Sequence, residues 1–256
     1  MIEIIRFKYG LRIREIYFSN EKLIKKKSID MDVYIQSKVH LQKSEIFNTL
    51  FIDLTQDEDQ IFKKFTSGCK YDIRRAANKD GLLYNYNLSP TLEELSIFIN
   101  FYNEFALFRK VPPANQEKLN ILLANKYIHI TSASLCEAPN VHLVMHCYIC
   151  DSVRSRLYLS ATAPRLNIGK EDNQIIGRAN KFLHWEDLKA AKRNGILLYD
   201  FGGISTGGHL KGIDDFKRQF GGIVQDEYNA KLSTSPKGLI LLGLYSIINY
   251  LKKMLS

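Results

Sequence analysis

The densest set of groups able to do chemistry lies between Trp185 and Gly222. It contains Leu198-Tyr199-Asp200-Phe201-Gly202-Gly203, then Gly212-Ile213-Asp214-Asp215-Phe216-Lys217-Arg218-Gln219-Phe220-Gly221-Gly222. An apolar run ending in an acidic residue and a glycine pair is a common way to open a ligand site in an α/β fold. Glycine lets the backbone turn sharply and approach a ligand closely. The helix expected next offers unpaired N–H groups and a positive dipole end to an anion. Lys211, Lys217 and Arg218 add full positive charge. The same pattern also suits a plain strand–loop–helix connection with a structural Asp cap. Upstream, Arg74 and Arg75 form a second candidate, because an arginine fork matches phosphate and carboxylate oxygens. A solvated helix face is the competing reading of that pair.

Two other residue types bear on chemistry. Cys147 and Cys150 read superficially as C-x-x-C, but the run from Val141 to Cys150 is apolar and strand-like. Residues three apart on a strand point to opposite faces, so buried reduced thiols are expected rather than a shared zinc or a disulfide. His129, His142 and His146 fall on expected strands, and the last two, four apart, share a face. No third ligand is evident beside them, so no metal is expected. No G-x-S-x-G elbow is present, which leaves a serine hydrolase without a motif.

The elements that must position these groups follow from periodicity. Short strands are expected at 1–7, 11–18 and 46–54, with a basic stretch, Lys22 to Lys27, and a polar segment between the second and third. A helix from 56 to about 78 is closed by Gly81, and 82–88 reads as a strand. Thr91 to Arg109 is the clearest helix: Thr91 and Glu94 have capping-box spacing, and Leu92, Leu95, Ile99, Tyr102 and Ala106 form one face. A shorter helix spans 116–125, and Pro112-Pro113 precedes it. Strands are expected at 127–136, 141–150 and 155–161, joined by turns at 138–140 and 151–152. A helix from 176 to 194, a buried strand at 196–201, a loop holding Gly202, Gly203, Gly207 and Gly208, a short helix at 213–220, a strand at 224–232 and a helix from 236 to 255 complete the order. That order is a mixed α/β fold. Two regions are expected: 1–80, with the N-terminal strands and the basic helix, and 81–256.

The chain has 256 residues with 36 Lys and Arg against 27 Asp and Glu, a formal +9, and is 45% hydrophobic. These values exclude a disordered, collagen-like or polytopic membrane chain. Four cysteines do not make a disulfide scaffold and agree with a reducing cytoplasm. No secretory signal is expected at Met1 to Phe7, where Glu3 and Arg6 interrupt the apolar residues. The longest uncharged apolar run, Gly238 to Leu251, falls short of a spanning helix. The positive excess suits tRNA, phosphorylated precursors or an anionic membrane, although no nucleic-acid motif is present.

Tyr199-Asp200-Phe201-Gly202-Gly203, followed by Gly212-x3-Phe216-Lys217-x2-Phe220-Gly221, resembles the signature of Fem-type aminoacyltransferases, of the acetyltransferase-like (GNAT) superfamily. Tyr158-Leu159-Ser160-Ala161, Leu183 to Gly195 with Trp185, and Tyr71 to Ala77 followed by Gly81 are similar to family segments in the same order. The resemblance covers about residues 70 to 222. It implies a GNAT-like mixed sheet flanked by helices, with the short N-terminal strand region as an extension or a truncated second half. It implies amide formation on an amino group of a cell-envelope precursor, a surface polysaccharide or peptidoglycan unit that is nucleotide- or lipid-linked. The acyl donor that the resemblance implies is acyl-CoA or aminoacyl-tRNA. An R-x-x-G-x-G/A pyrophosphate loop is not evident, so both stay open. Lys217 matches the motif lysine and is the candidate for charge stabilisation; Asp200 is the candidate for orienting the acceptor amine or taking its proton. Arg74, Arg75, Tyr199, Gly202, Gly203, Lys211 and Arg218 are the substrate-binding candidates, with a core position as the favoured competing reading of Tyr199 and of Trp185. A cytoplasmic enzyme is implied, with peripheral contact at the inner membrane face through the helix at 239–255 as one arrangement. A non-catalytic module holding a glycan or anion is the alternative.

Overall fold

A computed structural model describes residues 1–164, 170–205 and 211–254. Gly207 and Gly208 of the expected loop lie outside the described residues. So do the side chains of Ser246, Asn249, Lys252 and Lys253. The fold is mixed α/β, with ten strands and seven helices among the described residues. Two compact units divide the chain: Met1–Asn48 with Asp226–Ser256, and Thr49–Gln225. The boundary expected near residue 80 falls inside the second.

The first unit holds β1 (Ile2–Lys8), β2 (Leu11–Tyr17), β3 (Met31–Ser37) and most of β10 (Ile223–Ser233), in the order β1-β2-β3-β10. The β2–β3 pair is parallel and its neighbours are antiparallel. β3 stands where a polar segment is expected from the sequence. Its residues, Met-Asp-Val-Tyr-Ile-Gln-Ser, hide the strand because Asp32, Gln36 and Ser37 are buried polar groups. Arg14 compensates Asp32 with two hydrogen bonds of 2.8 and 2.9 Å. α7 (Pro236–Met254) places Leu241 and Leu242 on Leu11, Ile13 and Met31, while Leu239, Ile240, Leu244 and Ile247 are exposed. Among the described residues, no helix is long and apolar enough to cross a membrane.

The second unit carries the candidate chemistry. Its strands are β4 (Glu45–Asp53, entering from the first unit), β5 (Leu82–Asn87), β6 (Ile128–Leu135), β7 (Ala138–Cys150), β8 (Arg154–Thr162) and β9 (Leu198–Gly203). They run in the order β4-β9-β8-β7-β6-β5, all antiparallel except β8–β9. The helix expected from 56 to 78 is two, α1 (Glu58–Lys63) and α2 (Ser67–Lys79), because Thr66 turns and caps the second by accepting from the Cys69 N–H. α3 (Leu92–Arg109) has the expected capping box, with Thr91 and Glu94 bonded reciprocally at 3.2 and 2.7 Å. Leu92 nevertheless points to solvent from the first turn, and Phe98 takes an unforeseen core position. α4 (Gln116–Ala124) follows as expected. The turn expected at 138–140 is instead the start of β7, and α5 (Lys170–Arg193) begins earlier than the expected 176. α6 (Lys211–Arg218) precedes β10. The main core joins Leu50, Ile52, Ile61, Phe65, Tyr148, Leu188, Tyr199, Phe201 and Phe220. Cys147 and Cys150 are buried free thiols, as expected, and so is Cys69; Cys136 is exposed.

Candidate active site

The site is built where a central ladder opens. β8 and β9 pair in parallel through Arg154–Leu198, Ser155–Tyr199 and Arg156–Asp200 only, yet β8 continues to Thr162 and β9 to Gly203. Beyond the Arg156–Asp200 pair the two strands separate, although both lie inside the unit's sheet. Side chains from Arg156 to Ser160 are accordingly half-buried rather than sealed in a core. Gly202 makes the departure: its φ is +73°, a conformation L side chains rarely adopt, and an added Cβ would stand 3.3 Å from the Leu157 carbonyl oxygen.

Asp200 fixes this turn. It is fully buried and accepts from Thr49 Oγ1 at 2.5 Å and from the Gly202 N–H at 2.7 Å, with Arg154 3.6 Å away. Lys217 reaches the turn from α6 and donates from Nζ to the Gly203 carbonyl at 2.6 Å. Burial holds its ammonium below the usual lysine range, opposed by Asp200 and Asp214 and assisted by Arg156. α6 is anchored by Asp214, a buried carboxylate that accepts from the Ser205 N–H at 3.2 Å and from the Ser205 hydroxyl. At its end Phe220 enters the aromatic core, and Gly221 and Gly222 run so close to neighbours that a Cβ on either would collide. At Gly222 that Cβ would sit 2.6 Å from the Phe51 carbonyl oxygen.

The structure thus brings Asp200, Gly202, Gly203 and Lys217 together. Lys211 and Arg218 are exposed on α6. Arg74 and Arg75 lie on the exposed side of α2, with Arg74 5.4 Å from the Phe62 ring centroid and Arg75 3.4 Å from the Tyr71 hydroxyl. Phe62 packs at a tilt against half-buried Trp185, with ring centroids 4.9 Å apart. Tyr199 has no exposed surface; its hydroxyl lies 2.7 Å from both Tyr148 OH and His184 Nδ1.

That hydroxyl belongs to a buried polar network which sequence reasoning did not foresee. Asp187 accepts from Tyr84, Thr131, Tyr148 and His146 at 3.1, 3.1, 2.5 and 2.8 Å. A carboxylate only accepts, so Tyr148 spends its proton on Asp187. Tyr199 then donates to Tyr148, and His184 Nδ1–H donates to Tyr199. Burial pushes both tyrosines well above their ordinary range and His184 well below its own. His146, His184 and Asp187 also offer ligand atoms within 4.8 Å of one another, so among the described residues this is the group that could hold a metal ion. His142 bonds Ser134 and His129 bonds Tyr86 instead. The usable signal was the i,i+3 spacing of His184 and Asp187, which puts both on the inner face of α5.

No protein-family model and no curated protein sequence matches the chain. Solved structures do. FemX superposes with a TM-score of 0.57 at 11% identity, over 72% of this chain and 61% of its own. The C-terminal domain of a putative lysylphosphatidylglycerol synthetase from Agrobacterium fabrum also reaches 0.57, at 9% identity, over 94% of this chain and 87% of its own. L-PGS from Bacillus licheniformis reaches 0.50 at 12% identity, over 83% and 71%. The chain therefore spans about three fifths of FemX. The chain shares its fold with these three structures.

Proposed function

We propose that the protein is an acyltransferase that forms an amide on an amino group of a cell-envelope precursor. The observation that carries this reading is the Lys217 ammonium, held at the Gly203 carbonyl where β8 and β9 separate. Acyl transfer to an amine needs an activated carbonyl brought to a neutral amine and a charge set where the oxyanion develops. An opened parallel ladder provides exposed backbone amides and carbonyls to align an extended acyl donor. Lys217 provides the positive charge. Asp200, enclosed by Thr49 and the Gly202 N–H, acts as a positioning residue that sets the turn and draws Lys217 towards it. Likeness of fold to FemX and to lysylphosphatidylglycerol synthetases supports an aminoacyl group as cargo, with aminoacyl-tRNA as donor; acyl-CoA is the other donor.

Two measurements test the reading. Mass spectrometry of envelope precursors from cells with and without the gene should show a mass gain that names the transferred group, and an amino-acid increment selects the tRNA donor. Lys217→Ala should lower transfer by about 10²–10³-fold, the usual cost of removing one oxyanion-stabilising group, with little change in melting temperature. Unaltered transfer in that variant would refute the site.

A further inference from the structure

The sheet of the second unit has two faces. α5 takes one, where Tyr84 and Thr131 reach Asp187. On the other, cross-strand pairing lines up Asn85 of β5, Ser132 of β6 and Met145 of β7. Asn87 and Ile130 pair two residues along and so share that face. α3 lies over β7 and β8, and its Glu94 and Ile97 help enclose a cavity of about 150 Å³ against β5 and β6. Ser132 lines this cavity and is only 4% exposed, yet its hydroxyl makes no hydrogen bond among the described residues. A buried hydroxyl left unmatched is unfavourable until a partner arrives. Asn85 brings a side-chain amide to the cavity, and His142 an imidazole whose Nδ1 lies 3.1 Å from the Ser134 hydroxyl, which leaves Nε2. Burial lowers the proton affinity of that imidazole and so favours its neutral form. The other polar groups are occupied: Glu94 accepts from Asn87 Nδ2 at 2.6 Å and from the Thr91 N–H at 2.7 Å, and Asn87 Oδ1 accepts from the Ser89 N–H. The Thr91 N–H holds the Glu94 carboxyl below its usual range, so it stays ionised. Among the described residues no Lys or Arg lines the cavity, so an anion is repelled. Amide and hydroxyl each offer both a donor and an acceptor, the pattern that hydroxyls on neighbouring carbons satisfy. Ile97, Ile130 and Met145 supply the apolar part of the lining, suited to C–H groups.

We propose that Asn85, Ser132 and His142 form a site for a neutral, hydroxyl-rich ligand of the size of one sugar ring, held between α3 and the β5–β7 face. The volume lies below the roughly 300–1,000 Å³ of sites for drug-sized ligands, which limits the enclosed part of the occupant to a single ring. The site shares no lining residue with the Lys217 turn. It goes beyond the acyl-transfer reading, and binding there does not depend on it.

The test is saturation-transfer NMR titration of the full chain with D-glucose, N-acetyl-D-glucosamine and D-glucuronate, for wild type, Ser132→Ala, Asn85→Ala and Ile97→Trp. Wild type should bind at least one of the two neutral sugars saturably, and glucuronate several-fold more weakly because Glu94 repels its carboxylate. Ser132→Ala and Asn85→Ala should each weaken binding about three- to tenfold, the effect of one neutral hydrogen bond. Ile97 is partly exposed on α3, so Ile97→Trp should keep the fold, fill the cavity and abolish binding. Asn85 is also exposed, so Asn85→Ala and Ile97→Trp decide the matter if Ser132→Ala lowers the melting temperature. Absence of saturable binding of both neutral sugars to wild type, glucuronate binding as tightly as they do, or undiminished binding in Asn85→Ala and Ile97→Trp overturns the proposal. No acyl transfer is read, so failure here leaves the Lys217 site standing, and failure of transfer leaves this site standing.

Discussion

At the scale of single residues, the site depends on a few groups whose environment was altered by folding. Tyr199 shows a motif residue taken up by the core, the competing reading of its place in the sequence. The motif makes it a substrate-binding candidate, but the structure encloses its hydroxyl between Tyr148 and His184. Tyr199→Phe removes that hydroxyl and leaves the His184 N–H unmatched in the core. Chemical denaturation should show a loss of about 1–3 kcal/mol. If Tyr199 is scaffold, KM for the acceptor stays at the wild-type value; a large rise in KM with unchanged stability would return it to the substrate. Asp200 was legible as important, because an acidic residue before a glycine pair is unusual in a buried strand. Its partner Thr49 was not, since 151 positions separate them in the chain and only β4–β9 pairing joins them.

At the scale of elements, sequence periodicity found helices with surface faces and missed structure whose polar groups are satisfied internally. α3 announced itself through Thr91 and Glu94, a purely local signal. β3 did not, because Asp32 and Gln36 look like loop residues until Arg14 and the Gln36–Glu227 hydrogen bond are seen. The Asp187 network was hidden for the same reason: its members come from β5, β6, β7, β9 and α5. The glycines after α6 were legible as a motif but not as a cause. Gly222 adopts φ +102° against the Phe51 carbonyl. Gly222→Ala should therefore destabilise the second unit by about 1–3 kcal/mol or more through backbone strain and collision, seen as a lower melting temperature with the same secondary structure by circular dichroism. A neutral outcome would mean that the α6–β10 turn relaxes without cost.

At the scale of the whole molecule, charge and titration acquire positions. Residues 1–48 and 226–256 contain 14 Lys and Arg against 8 Asp and Glu, so +6 of the +9 belongs to the first unit. The candidate site in the second unit accounts for little of the basic excess. Buried imidazoles set the response to acid. Burial brings His129 down to about 4 and His184 well below its ordinary value. Between about pH 6.5 and 4 the unfolded chain binds more protons than the folded one, so stability rises with pH across that window and is lost on acidification through it. Each tenfold drop in proton affinity on folding is worth about 1.4 kcal/mol, so His129 alone contributes up to about 3 kcal/mol. Melting temperatures taken from pH 7 to 4.5 should fall steadily; a flat profile would show that these imidazoles are not held neutral.

The division of the chain has a consequence for the order in which it is made. The second unit is one continuous stretch, Thr49–Gln225, whereas the first needs both Met1–Asn48 and Asp226–Ser256. During synthesis the first three strands emerge early, yet β10, the strand that pairs with β3, follows almost two hundred residues later. Closing so long a loop is slow, and units generally fold as they emerge. The second unit therefore matures first on the ribosome, and the N-terminal strands wait with an unpaired β3 edge until β10 emerges to complete them.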